Sequence, residues 1–165
     1  MHFASLYRLR ATIAHILNLG RKIQTGLVAF AVICTIAAPM AAQSALIARN
    51  DLGGSVEKRL TMITALRLEG RRVEIRGNCA SACTMYLGLP NACVSRASRL
   101  GFHGPQSQFY GISLPPQEFE YWSRVMASNY PDKIARWFMA DARETTLGLI
   151  TISGAQAIKM GAHAC

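Results

Sequence analysis

The segment from Arg72 to Pro90 leaves little choice of local structure. Arg72-Val73-Glu74-Ile75-Arg76 alternates charged and β-branched residues, the period of a half-buried strand. Gly77 follows, then the small residues Cys79-Ala80-Ser81-Ala82-Cys83, then a run suited to a short helix that Leu87-Gly88-Leu89-Pro90 closes. The pattern predicts a strand, a tight turn and a helix with Ser81 at the corner. A serine so placed sits at a helix N-terminus, where unpaired backbone N–H groups and the positive dipole end can stabilise an oxyanion. Ala80 and Ala82 leave room for a substrate to approach. The same pattern equally suits a serine that only caps a helix, which is the ordinary use of serine there.

The flanking chain supplies the elements around this corner. Leu46-Ile47-Ala48 reads as a short strand running into the glycine pair Gly53-Gly54. Two glycines before a helix let the backbone take positive φ and aim an N–H inward, although an ordinary strand-to-helix turn uses the same pair. Ser55 is a candidate N-cap, and Val56, Leu60, Ile63 and Leu66 recur at helical spacing until Gly70. The expected unit is strand, helix, strand, helix, with the long helix packed on a parallel sheet. Ala92 to Val94 and Leu100 to Phe102 are two further extended pieces, the second ending at His103. Pro105 cannot continue a strand ladder, so this histidine falls at a strand end. A lone histidine is most often a surface or core residue. Residues 106–116 read as a loop bordering that strand end. Glu118 to Asn129 and Asp132 to Ala142 then read as two helices parted by Pro131, with aromatic stripes suited to a core or an interface.

The first 44 residues stand apart. Arg8, Arg10, Arg21 and Lys22 precede an apolar run, and Ile23 to Ala48 carries no charge. This predicts a secretory signal with small residues at Ala42-Gln43-Ser44 for cleavage, or, uncut, an N-terminal membrane anchor with its basic end inside. Met1 to Thr25 also suits a basic amphipathic helix on a membrane surface. The globular domain is then expected over 45–165, periplasmic or anchored in the inner membrane. Four of the 18 Lys and Arg and none of the 9 Asp and Glu lie in the leader, so the rest carries 14 cations against 9 anions, a formal +5. Those cations are scattered among acids with no interleaved aromatics, which argues against a nucleic-acid partner. Beyond Cys34 in the leader, Cys79, Cys83, Cys93 and Cys165 make a disulfide framework of the kind small exported domains use, with three pairings open. Zinc held by these cysteines with His103 or His163 is the rival reading, but the paired Cys-x-x-Cys spacing of structural zinc sites is missing. No metal or cofactor is therefore expected.

Three ordered stretches carry a family resemblance: Asn50-Asp51-Leu52-Gly53-Gly54-Ser55-Val56, Gly77-Asn78-Cys79-Ala80-Ser81-Ala82-Cys83, and Arg99-Leu100-Gly101-Phe102-His103-Gly104-Pro105. In order and spacing they resemble the Asn-Ser-Pro-Gly-Gly, Gly-x-x-x-Ser and His-x-Pro motifs of the Clp-type serine peptidases of the crotonase-like superfamily, above all exported, cysteine-bearing relatives. The resemblance covers Asn50 to Pro105 well and Gln156 to Gly161 loosely. It implies a small α/β fold with a parallel sheet and flanking helices. It also implies Ser81 as nucleophile, His103 as its base, the N–H groups of Gly54 and Ala82 as oxyanion donors, and a peptide or small acyl substrate. In the family, helices like those after residue 116 mediate subunit contacts, which implies a homo-oligomer.

The chain departs from the family in three places. The leader runs almost directly into Asn50, so a first structural unit is expected to be missing and a sheet edge left bare. Leu149 stands where the family has its catalytic acid, with Asp141 and Glu144 the nearest carboxylates. Leu52 replaces a proline. Two functional classes follow: an exported serine hydrolase, most simply a peptidase, or a non-catalytic periplasmic or membrane-tethered binding protein on the same fold.

Overall fold

The computed structural model describes residues 43–107, 109 and 114–165, and the fold is that of the unit Ala42–Cys165. The expected signal or anchor at residues 1–44 lies almost wholly outside the described residues. No helix among the described residues is long and apolar enough to cross a membrane.

The architecture is mixed α/β. Strands β1 (Leu46–Asp51), β2 (Val73–Ala80), β3 (Ala92–Val94), β4 (Arg99–Phe102) and β5 (Ile150–Ser153) form one five-stranded sheet in the order β1-β2-β4-β5, with β3 also on β2. β3 pairs with Val73 to Ile75 and β4 with Asn78 to Ala80, so the two short strands share one side of β2 end to end. All these pairings are parallel, as expected. The exception is β5, which runs antiparallel to β4 with Leu100 opposite Ile152. β2 is also longer than its alternating pattern. It continues through Gly77 and Asn78 to Ala80 because β1 pairs with that half too, Asn50 facing Asn78 and Asp51 facing Cys79.

Helix α1 (Val56–Leu68) connects β1 to β2. Ser55 caps it, its hydroxyl accepting from the Lys58 N–H at 3.3 Å, an interaction worth about 1 kcal/mol. Ile63 and Leu66 are buried, while Val56 and Leu60 pack at the margin of the core. A 3₁₀ helix, Ser81–Gly88, follows β2 in place of the short α-helix expected there. Helices α2 (Pro116–Ala127) and α3 (Asp132–Ala140) follow, then a 3₁₀ turn (Ala142–Glu144) and a last helix α4 (Gly154–Lys159). Pro116 opens α2 where its missing N–H costs nothing.

The core joins the strands Val73, Ile75, Val94, Leu100 and Phe102 to Met85 and Tyr86 of the 3₁₀ helix and to Ile134 and Phe138 of α3. The Phe102 ring meets Tyr130 and Trp137 edge-on at 5.6 and 5.1 Å. A fully buried phenylalanine of this kind contributes about 1.5–3 kcal/mol, so the anchoring of β4 beside His103 is apolar.

Two disulfides close the domain. Cys79–Cys83 brackets the corner between β2 and the 3₁₀ helix, and Cys93–Cys165 ties β3 to the C-terminus. They resolve the three open pairings into one and are compatible with an oxidising compartment.

Candidate active site

Ser81 is the one non-glycine residue with positive φ among the described residues, at +54°. A left-handed L-residue costs about 1–2 kcal/mol, and such residues persist where their surroundings force them. Here Ala82, Cys83 and Met85 are fully buried just beyond it, and the Cys79–Cys83 bridge closes over the corner. Thr84 donates its hydroxyl proton to the Ser81 carbonyl at 2.7 Å. The Ser81 hydroxyl itself is in no hydrogen bond among the described residues, and Ala80, not Ser81, occupies the cap position, without any side-chain cap bond. The bland use of this serine, capping a helix, is not made.

The glycine pair presses on that corner. Gly53 has φ +101°, and a Cβ there would lie 2.6 Å from the Ser81 Cβ, 2.8 Å from the Ala80 carbonyl oxygen and 2.9 Å from the Ala82 nitrogen. Only glycine fits. Its N–H is taken by the Asp51 carboxylate at 2.9 Å. Gly54, at φ +108°, faces open space, and its N–H has no backbone partner among the described residues.

His103 follows β4 directly. Its Nδ1 lies 2.6 Å from the Gly104 carbonyl oxygen. A carbonyl can only accept, so Nδ1 carries a proton, and in the neutral ring the lone pair then stands on Nε2, the tautomer a general base requires. Gly104 is clasped in turn. Its N–H donates to the Thr145 carbonyl at 3.0 Å, and the Arg143 carbonyl occupies the space where a Cβ would go.

Ser81, His103 and Gly54 line one cleft of about 750 Å³, within the range of small-molecule sites. Trp122 and Met126 of α2 and the exposed Leu52 add apolar wall. Glu57 and Glu118 are its acidic lining residues, and no Lys or Arg lines it among the described residues. Ala82 does not line the cleft. It lies beneath, fully buried, with its nitrogen against Gly53 and, as the second residue of a 3₁₀ helix, with no partner for its N–H within that helix. Of the four cysteines, Cys79 and Cys83 flank the serine, whereas Cys93 lines a different hollow and is bonded to Cys165.

No carboxylate pairs with His103 among the described residues. Leu149 lies against Gly101 on β4, two residues from the histidine, and places an aliphatic side chain there.

Sequence reasoning missed Arg59 and Asp51. Arg59 is 8% exposed, and its Nη2 donates to Asp51 at 2.8 Å and to the Gly53 carbonyl at 3.1 Å. Its Nη1 donates to the Tyr86 hydroxyl, with the guanidinium carbon 4.5 Å from the Tyr86 ring centre. Burial pushes the Tyr86 phenol above its ordinary range, with Arg59 opposing that shift. One signal was available. Position 59 is three after Val56 and four before Ile63, so a charge there stands in the apolar stripe of α1. No protein-family model and no curated protein matches the chain.

Proposed function

We propose that the domain is an exported serine hydrolase, most simply a peptidase, on a Clp-like, crotonase-type fold. The observation that carries this reading is Ser81. A left-handed serine with an uncommitted hydroxyl shares a cleft with a histidine in the base tautomer and with a glycine turn that fits no other residue. Ser81 Oγ attacks the substrate carbonyl carbon while its proton passes to His103 Nε2. The resulting oxyanion is held by the N–H of Gly54, which lines the cleft, whereas Ala82 lies buried beneath it. The tetrahedral intermediate collapses, His103 returns the proton to the leaving amine or alcohol, and water then releases the acyl group with His103 again as base. The Gly104 carbonyl holds Nδ1–H where serine proteases commonly place a carboxylate. A neutral acceptor stabilises the imidazolium less than an anion does, so turnover is slow.

The second reading, a non-catalytic periplasmic or membrane-tethered binding protein, is favoured by one observation: no described carboxylate reaches His103. Labelling of the full-length, oxidised chain with a serine-directed phosphonate separates the two. For the hydrolase, wild type labels and Ser81→Ala and His103→Ala do not, with melting temperatures near wild type, because removal of nucleophile or base costs orders of magnitude in rate. Failure of wild type to label at pH 7 to 9 leaves the binding protein.

A further inference from the structure

The Gly53–Gly54 peptide faces two ways. All described peptide bonds are trans, and in a planar trans unit the carbonyl of one residue and the N–H of the next point in opposite directions. The Gly53 carbonyl is gripped by Arg59 Nη2 at 3.1 Å, on the α1 side. The Gly54 N–H therefore points away from Arg59, and Gly54 is the residue of the pair that lines the cleft.

Left to themselves, two glycines do not keep such an orientation. Glycine occupies positive and negative φ about equally, so this peptide can rotate at little cost. Rotation would turn the Gly53 carbonyl toward the cleft and present an acceptor where a developing oxyanion needs a donor. Two contacts resist it. Asp51 takes the Gly53 N–H at 2.9 Å and fixes the preceding peptide, and Arg59 holds the carbonyl beyond it. Asp51 and Arg59 are themselves joined at 2.8 Å. The Tyr86 hydroxyl and ring hold the other arm of the guanidinium. A planar fork with several donors in fixed directions can serve all these partners at once, and a lysine ammonium cannot.

We infer that Arg59, with Asp51, is a positioning pair that locks the Gly53–Gly54 peptide with its N–H turned into the cleft, so that the oxyanion donor is formed before substrate arrives. The inference rests on the hydrolase reading above. The pair touches no substrate. It acts through the glycine turn.

The test is the kinetics of phosphonate labelling on the full-length, oxidised chain, comparing wild type with Arg59→Lys and Asp51→Asn. Loss of one oxyanion donor lowers the chemical step by about 10²- to 10³-fold. The expected result is a fall of about 10²-fold in the limiting labelling rate, with the concentration for half-maximal rate little changed and the near-UV circular dichroism that of wild type. A purely structural role would instead lower the folded fraction and leave the limiting rate of the folded molecules alone. Folded variants that label at the wild-type limiting rate overturn the positioning pair and leave the hydrolase standing. A wild type that does not label overturns the hydrolase, and the positioning pair with it. Should Arg59→Lys not fold, Asp51→Asn decides, because it keeps an acceptor for Gly53 while removing the charge that holds Arg59.

Discussion

Gly53 is the tightest single position of the site. A methyl group there meets the Ser81 Cβ at 2.6 Å and must also adopt φ +101°, a region that costs an L-residue about 1–3 kcal/mol before any clash. Gly53→Ala is therefore expected to lower stability by at least that amount and to displace the serine corner. Both are read together from thermal melting and the phosphonate labelling rate. Gly54→Ala meets no atom within 4 Å, so its cost is the backbone conformation alone, and the folded fraction of that variant should be the larger of the two. At this scale the chain was partly legible. Ser81, His103 and the glycine pair announce themselves because turn chemistry is local and few residue types perform it. Arg59 and Asp51 do not, because their roles exist only once α1 is folded back over the turn. A count of apolar positions along α1 also passes over a charge standing in the same stripe.

Among the elements, strand direction and strand length were the parts least visible. β2 reads as ending near Gly77, since glycine and asparagine break patterns, yet pairing with β1 and β4 carries it on to Ala80. The antiparallel β5 is set by where α2, α3 and the 3₁₀ turn return the chain, which no local period encodes. The cysteine pairing was equally closed to sequence, and it has unequal consequences. By loop-closure entropy, the bridge spanning 72 residues contributes roughly 4 kcal/mol and the one spanning 4 residues about 2 kcal/mol. Denaturant titration of Cys165→Ser and Cys83→Ser should therefore show the larger loss for Cys165→Ser.

The contact between α2 and the 3₁₀ turn behind Gly104 is ionic. Arg143 and Arg124 both bond Glu120 and, Arg143 first, hold its carboxyl below the ordinary carboxylate value. A carboxyl depressed in the folded state adds stability above its unfolded value and loses it as pH falls through the folded one. Thermal melting should thus drop on acidification through and below the usual carboxylate range, and Glu120→Gln should reduce that drop.

For the whole molecule, charge is divided. Residues 45–165 carry 14 cations against 9 anions, yet the cleft is lined by Glu57 and Glu118 without a lysine or arginine among the described residues, and residues 105–117 carry no charge at all. For the proposed hydrolase, a negative mouth on a positive body favours cationic substrates. Peptides with Lys or Arg beside the scissile bond should be cleaved about two- to fivefold faster than Glu analogues at low salt, as exposed charge pairs allow. The preference should shrink as ionic strength rises and in Glu57→Gln and Glu118→Gln, as a panel of fluorogenic peptides would measure.

The link from Cys93 to Cys165 also makes a closed ring of most of the C-terminal half of the chain. His103, the loop beside the cleft, and helices α2 to α4 all lie on that ring, while Ser81 sits on the tail that enters it. A single backbone cut in the loop after Pro105 opens the ring without parting the molecule. Both pieces stay joined through sulfur, so a nicked domain keeps helices α2 to α4 covalently attached to the piece that carries Ser81 and His103 until it is also reduced.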